Sequence, residues 1–342
     1  MVIHLICVLK QTGRYLLLAT IVLIQSCNDK PVSTEGMVWI DGGEFVMGTN
    51  DEGVYHHERP AHRVTVSGFW MDATEVTNAQ FQSFIEFTGY VTVAERKPDW
   101  ENIKAQLPLG TPKPHDSVLV AGSLTFTPPG KTVLLNDYSQ WWSWTIGANW
   151  KNPEGNQSTI DQKWNHPVVH IAHEDAARYC AAQGKRLPTE AEWEFASRGG
   201  DPAKPFDYST DLAPQQKFIA NVYQGSFPNV NLAQDGFPGT APVRSFPPNK
   251  YGLYDMIGNV WELTSDLYHV DYYKVLAEEG VVENPYGPKS SFDPNEPGVK
   301  KYVSKGGSYL CSFDYCSNYR PTGRQATAFD SGQSHIGFRC AR

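Results

Sequence analysis

The sequence predicts one mixed α+β domain with little regular secondary structure, on three observations. Hydrophobic residues make up 40% of the 342 and aromatics 13%, enough for a packed core, and 10 Trp with 17 Tyr is a composition that disordered chains lack. Glycine (29) and proline (24) recur so often that turns and loops take a large share of the chain. From residue 37 onward no linker, internal repeat or low-complexity segment divides the sequence, so residues 37–342 read as a single domain.

The elements follow in chain order. Lys10 and Arg14 precede an apolar stretch, Tyr15 to Ile24, which is too short to span a bilayer and right for a signal-peptide core. It ends in Ile24-Gln25-Ser26-Cys27, which resembles a lipoprotein cleavage box. Residues 1–27 are therefore expected to be a signal peptide with Cys27 lipidated, and residues 28–36 (NDKPVSTEG) a polar tether. The protein is then expected to be exported and held on the periplasmic side of a bacterial membrane. Phe45 to Gly48 and His62 to Val66 alternate like strands. Thr77-Asn78-Ala79-Gln80 fits a capping box and opens a helix with the apolar stripe Phe81, Phe84 and Ile85, stopped by Gly89. A second helix covers about Glu174 to Ala182, with Ala177, Cys180 and Ala181 on one face and Gly184 as its stop. A third begins at Thr189 with Glu192 three residues on, carries Trp193 and Ala196, and ends before Gly199-Gly200. Glu283 to Val299, rich in Pro, Gly, Ser and Asn, reads as a surface insertion.

The formal net charge of −8 excludes nucleic acid as a partner class, because phosphate binding needs a basic footprint. Of six cysteines, Cys7 and Cys27 fall in the signal, which leaves Cys180, Cys311, Cys316 and Cys340. In an oxidising compartment these four allow three disulfide connectivities, and the spacing does not choose among them.

The segment Gly306-Gly307-Ser308-Tyr309-Leu310-Cys311-Ser312-Phe313-Asp314-Tyr315-Cys316 sets two cysteines five apart in a loop that glycines open. Such a pair can form a structural disulfide, act as a redox dithiol, or hold a soft metal such as Cu(I). From spacing alone the structural disulfide is the default. No His or further Cys stands nearby in sequence to complete a zinc site.

Four motifs widen the reading. They are Gly184-Lys185-Arg186-Leu187-Pro188-Thr189-Glu190-Ala191-Glu192-Trp193-Glu194, and Tyr251-Gly252-Leu253-Tyr254 followed by Gly258-Asn259-Val260-Trp261-Glu262. The others are Gly306-Gly307-Ser308 and the closing Gly337-Phe338-Arg339-Cys340. Together they resemble the signature of the sulfatase-modifying factor, or formylglycine-generating enzyme, family, over about Trp39 to Arg342. The resemblance implies a single α+β domain related to the C-type lectins.

It also implies that Cys311 and Cys316 bind Cu(I) linearly and that the protein uses O2 to convert a cysteine of sulfatase polypeptides to formylglycine. Two thiolates hold Cu(I) and leave room for a third, that of the substrate. The implied substrates carry a Cys-x-Pro-x-Arg-like motif and are met unfolded. Ser308, Trp261 and Tyr315 match family positions around the pair, and Arg324 and Asp99 match residues of the substrate groove. Two structural calcium sites are implied: Asn221, Asp235 and the carbonyls of Val222 and Phe237, and then Asp255, Glu262 and the carbonyls of Gly258 and Val260. Cys180 and Cys340 match a family disulfide, while a second one is missing, with Ser197 and Pro321 at its positions. The sequence departs from the family's best-known pattern at Ser312, Gly332 and His335, which leaves the copper ligands intact. The competing reading is a non-catalytic lipoprotein of the same fold with a binding or envelope-structural role; retention of both cysteines separates the two.

Overall fold

The computed structural model describes residues 33–200, 212–214 and 217–342. The expected signal peptide, Cys27 and most of the tether lie outside the described residues. Among the described residues, no helix is long and apolar enough to cross a membrane.

Short strands open the domain: β1 (Met37–Ile40), β2 (Gly43–Met47), β3 (His62–Val66) and β4 (Phe69–Asp72). β1 pairs with β4 and β2 with β3, both antiparallel. Helix α1 (Asn78–Thr88) begins on the expected capping box: Thr77 Oγ1 accepts from Gln80 N at 3.3 Å and Gln80 Oε1 accepts from Thr77 N at 2.9 Å. Gly89 ends it in the left-handed region at φ 67°. The short α2 (Trp100–Lys104) precedes a separate antiparallel ribbon of β5 (Gly122–Phe126) and β6 (Trp142–Ile146). Helices α3 (His173–Ala182) and α4 (Glu190–Ser197) fall where the caps predict them. In α4, Thr189 Oγ1 accepts from Glu192 N while Glu192 Oε2 accepts from Thr189 N at 2.8 Å. The remaining elements are β7 (Gly225–Ser226), β8 (Val230–Asn231), β9 (Trp261–Leu267), α5 (Tyr272–Glu279), β10 (Val282–Glu283), β11 (Lys301–Lys305), β12 (Arg324–Ala328) and β13 (Ile336–Gly337).

The four-stranded sheet, ordered β12-β11-β9-β13, positions the chemistry. Its β11–β12 hairpin is joined by the long loop that carries Cys311 and Cys316. The expected surface insertion needs correcting at its start and middle. Val282 and Glu283 extend the β2–β3 sheet by parallel pairing with Val64 and Thr65, and Asp293 is buried as the ion-pair partner of Lys301.

Two apolar clusters hold the domain together. The larger packs Phe81 and Phe84 of α1 on Tyr179 of α3, Trp150, Trp261 and Phe338. The Cys180–Cys340 disulfide lies inside it and ties α3 to the C-terminus across 160 residues, the pairing that the family resemblance implies. The second cluster sets Trp193 of α4 against Phe45, Val64, Met71 and Tyr273.

Between the clusters α4 buries charge. Glu190 holds Arg324 through two bonds of 2.6 and 2.8 Å, and Glu194 holds Lys305 at 3.0 Å and Arg198 at 2.6 Å. Burial alone would raise the Glu194 pKa, but Lys305 and Arg198 outweigh it and bring it to about 2. Lys305 ends β11 and Arg324 begins β12, so the two ends of the cysteine loop are pinned to one helix.

Candidate active site

The loop leaves β11 through Gly306 and Gly307, both at positive φ, and a Cβ on Gly307 would lie 3.0 Å from the Tyr319 backbone. Only glycine lets the two limbs of the loop approach so closely. Backbone bonds then seat the loop on its neighbours: Gly258 N donates to Gly306 O, Tyr309 N to Asn259 O and Tyr223 N to Cys311 O, each at 2.9 Å. A turn closed by Cys316 N donating to Ser312 O at 3.1 Å folds the second cysteine back toward the first. The result is a hydrogen bond between the Cys311 and Cys316 thiols, neither of which is in a disulfide. The structural disulfide that spacing alone suggests is therefore not present at this pair; it lies at Cys180–Cys340 instead.

The two sulfurs are not equivalent. Cys311 is 1% exposed, and burial pushes its thiol well above the usual cysteine range, with donation to Cys316 adding to the rise. Cys316 is half-buried and lowered, chiefly because it accepts from Cys311, with Asn318 and the Arg320 charge adding to the effect against burial. The arrangement is a donor thiol, Cys311, beside an acceptor, Cys316, that is the easier of the two to deprotonate.

Three expected neighbours surround the pair. Ser308 bonds to Cys311 through its side chain and accepts from Cys311 N at 2.9 Å. Trp261 and Cys311 share the larger apolar cluster, and Cys316 packs against it. The Tyr315 ring stacks on Phe227 at 4.4 Å and meets the edge of Trp141 at 5.8 Å. Trp142 lies against His335 at 4.8 Å. Burial pushes His335 down to about 3, with His170 adding, so its imidazole is neutral at physiological pH.

Arg320 is a site residue that the sequence did not disclose. Its Nε donates to Glu58 Oε2 at 3.1 Å, its Nη2 to Glu58 Oε1, and its Nη1 to Ser317, while Thr322 Oγ1 donates to the same buried carboxylate at 2.8 Å. This clamp fixes the returning limb just after Cys316. An arginine facing a glutamate 262 residues earlier leaves no local signal.

The two expected groove residues lie apart from the thiols. Arg324 is 1% exposed, doubly bonded to Glu190, and donates through Nη1 to His57 O at 2.8 Å. With its planar face over the Tyr273 ring at 4.1 Å it is a core cation, and its guanidinium does not line a groove. Asp99 caps α2, accepting from Glu101 N at 2.9 Å, and is exposed on a cleft of about 810 Å³. Arg96, Trp144, Tyr302, Asp330 and Gly332 share that cleft. Tyr302 and Phe329 place it at the end of the β11–β12 hairpin opposite the cysteine loop.

Two sulfurs in hydrogen-bond contact, one of them the easier to deprotonate, fit a soft cation such as Cu(I). At the first implied calcium site, Asn221 gives its Nδ2 to Gly239 O at 2.8 Å and to Asn259 Oδ1 at 3.2 Å, which leaves its buried Oδ1 without a partner. Asp235 stands beside it, accepting from Val222 N and Phe237 N, while the Val222 carbonyl accepts from Gln224. A buried orphan oxygen next to a carboxylate and carbonyls fits a hard cation.

The second set is split. Both Glu262 oxygens accept hydrogen bonds, from Arg339 at 2.6 and 2.7 Å and from Trp193 Nε1 at 2.8 Å, so Arg339 already balances its charge. Asp255 interacts with Glu75, whose Oε2 lies 4.0 Å from Arg339 Nη2; burial brings Asp255 to about 6 and, together with Asp255, raises Glu75 well above the carboxylate range. Asn259, at φ 54°, knits both loops: its Nδ2 donates to Glu75 Oε1 at 2.9 Å and its Oδ1 accepts from Ala241 N at 2.9 Å. Glu75 and Asn259 gave no sign of these roles in the sequence.

Comparison with known proteins follows the same residues. The profile described as a sulfatase-modifying factor enzyme 1-like domain matches residues 24–342. The formylglycine-generating enzyme of Mus musculus is 44% identical over 313 residues, covering 91% of this chain and 76% of that protein. The formylglycine-generating enzyme of Streptomyces coelicolor is 41% identical over 315 residues, covering 91% and 90%. Among solved structures, PvdO from Pseudomonas aeruginosa superposes with a TM-score of 0.58 at 24% identity, covering 90% of this chain and 93% of that one, a likeness of fold alone.

Proposed function

Because this chain belongs to the sulfatase-modifying factor family, we propose that it is a copper-dependent oxidase that converts a cysteine of sulfatase polypeptides to formylglycine with O2. The observation that carries the reading is the free, mutually hydrogen-bonded Cys311–Cys316 pair in a fold that already has its disulfide elsewhere.

Held by the two sulfurs, Cu(I) would supply a soft, redox-active centre able to accept a third thiolate. The chain's own residues prepare for this. Cys316 is lowered and Cys311 raised, so Cys316 is the easier of the two to deprotonate on loading. Ser308, bonded to Cys311, then offers its hydroxyl to the Cys311 thiolate. Trp261 and the Trp141–Phe227–Tyr315 rings keep water from the sulfurs, and neutral His335 carries no proton charge into the site. At the substrate, carbon changes from thiol to aldehyde by losing two electrons, and sulfur leaves as sulfide. Reducing O2 to water takes four electrons, so a thiol reductant must deliver the other two.

The cleft at Asp99 suits the remainder of the substrate. It lies one β-strand away from the cysteine loop, on the order of 15 Å, which an extended chain crosses in about four or five residues. That is the spacing between cysteine and arginine in Cys-x-Pro-x-Arg, and the cleft offers the carboxylates of Asp99 and Asp330. Structural calcium at Asn221–Asp235 and beside Asp255, export, and lipid anchorage at Cys27 belong to the same proposal.

The test is a peptide carrying the motif, supplied with copper-loaded protein, O2 and a thiol reductant, and read by mass for loss of the thiol. Wild type should convert it; Cys311→Ser and Cys316→Ser should each lose both copper binding and conversion while remaining folded. Protein that binds one Cu(I) yet converts no such peptide defeats the sulfatase reading. A pair that proves permanently disulfide-bonded, with serine variants that lose only stability, favours the binding protein instead.

A further inference from the structure

β6 runs from the thiol site toward the cleft with one edge unpaired among the described residues, where Gly155 lies close to Ile146 O. In an antiparallel pair, successive residues alternate between turning their main-chain N–H and C=O toward the partner and away from it. Thr127 N donates to Trp141 O at 2.9 Å and Gly147 N to Ala121 O at 3.0 Å, and the register between them pairs Thr125 with Ser143 and Ser123 with Thr145. Positions 141, 143, 145 and 147 therefore face β5, and Trp142, Trp144 and Ile146 direct their main-chain groups outward. Among the described residues β6 pairs with no strand except β5, and no other segment hydrogen-bonds the main chain of those three.

The side chains of the same three residues share one face of the strand. Trp142 lies against His335, beside Trp141, whose ring meets Tyr315 next to Cys316. Trp144, 43% exposed, lines the cleft with Asp99. An open edge flanked by aromatic side chains is a liability that proteins cover or use. Here it connects the two ends of the site just described.

We propose that the polypeptide substrate docks as an added strand on the outer edge of β6, through main-chain hydrogen bonds to Trp142 and Trp144. This rests on the oxidase reading, because it takes a cysteine at Cys311–Cys316 as one end of the docked chain. An edge that recognises backbone leaves intervening side chains free to vary and requires an extended, unfolded substrate.

The test is binding, without copper, of a fluorescent peptide carrying Cys-x-Pro-x-Arg, together with a series in which single backbone amides are N-methylated. Every second amide should matter, each methylation weakening binding roughly three- to tenfold, with the amides between them silent. Trp144→Pro, which deletes one outward N–H, should bind more weakly than Trp144→Ala, which deletes only the ring. The peptide series leaves the protein unaltered, so a variant that fails to fold does not decide the outcome. If wild type binds the peptide but the methylation series is flat, strand addition is wrong and the oxidase reading stands. If wild type binds no motif peptide at all, both fall.

Discussion

His170 is fully buried at φ 62°, with Nε2 2.9 Å from Pro153 O and Nδ1 2.8 Å from Ser123 Oγ. A carbonyl only accepts, so Nε2 carries a proton; burial favours the neutral ring and lowers its pKa to about 4. The unfolded chain takes up this proton near pH 6.5, and the folded chain resists until about 4. The stability that neutral His170 contributes is therefore complete above pH 6.5 and lost as pH falls toward 4, by a few kcal/mol. Asp266 works in the opposite sense: burial, with Glu190 nearby, raises it to about 7, so its contribution falls as pH rises from about 4 to 7. Comparing wild type with His170→Gln isolates the histidine, because Asp266 is common to both. Urea midpoints between pH 4.5 and 7 should fall less steeply on acidification in the variant, and equal slopes would show that His170 does not titrate this way. Legibility differs sharply at this scale. Cys311 and Cys316 stand out because their spacing is local, whereas Arg320, Glu75 and Asn259 act through partners scores to hundreds of residues away.

Helices α1, α3 and α4 were legible because helix ends are written in neighbouring residues: Thr77 with Gln80, Thr189 with Glu192, Gly89 as a left-handed stop. Strands β9 and β11 were not, since both faces are covered and no alternation survives. β9 even buries Thr264 and Asp266, and β11 buries Ser304 and Lys305, polar residues whose partners only the folded chain supplies. Arg324 was misread as a groove residue for the same reason: its partner Glu190 is 134 residues away. These long-range partners give the element-scale prediction. Glu194 is fully buried and answers two cations, Lys305 and Arg198. Glu194→Gln keeps the shape but leaves Lys305 short of charge in a fully buried site. The loss should be roughly 3–5 kcal/mol, the cost of stranding one partner of a buried pair. Chemical denaturation measures it, and a loss under about 1 kcal/mol would mean that Glu190, 3.8 Å from Lys305, compensates.

Across the whole molecule, order in the long loops is borrowed from cross-links. Opening the Cys180–Cys340 bridge, which closes 160 residues, should cost roughly 2–5 kcal/mol in Cys180→Ser or Cys340→Ser without touching the Cys311–Cys316 contact. The loops around Asn221 and Asp255 lack such a link, yet the cysteine loop is seated on them through Tyr223 N to Cys311 O and Gly258 N to Gly306 O. In those loops Asn221 Oδ1 is buried without a partner, an unmet acceptor worth about 1–3 kcal/mol. Bound calcium would satisfy it and, by binding the folded chain alone, would raise stability with its concentration. Chelation of purified protein should therefore lower the melting temperature by roughly 2–4 °C for each kcal/mol of binding energy removed. Asp235→Ala and Asp255→Ala should each blunt that response, because each takes the charged ligand from one loop. Since the same loops carry the backbone bonds to Gly306 and Cys311, chelation should also weaken Cu(I) retention in a competition assay, with both cysteines intact. A melting temperature indifferent to chelator, with no calcium found by elemental analysis, would assign that oxygen to buried water and leave the loops ordered by hydrogen bonds alone.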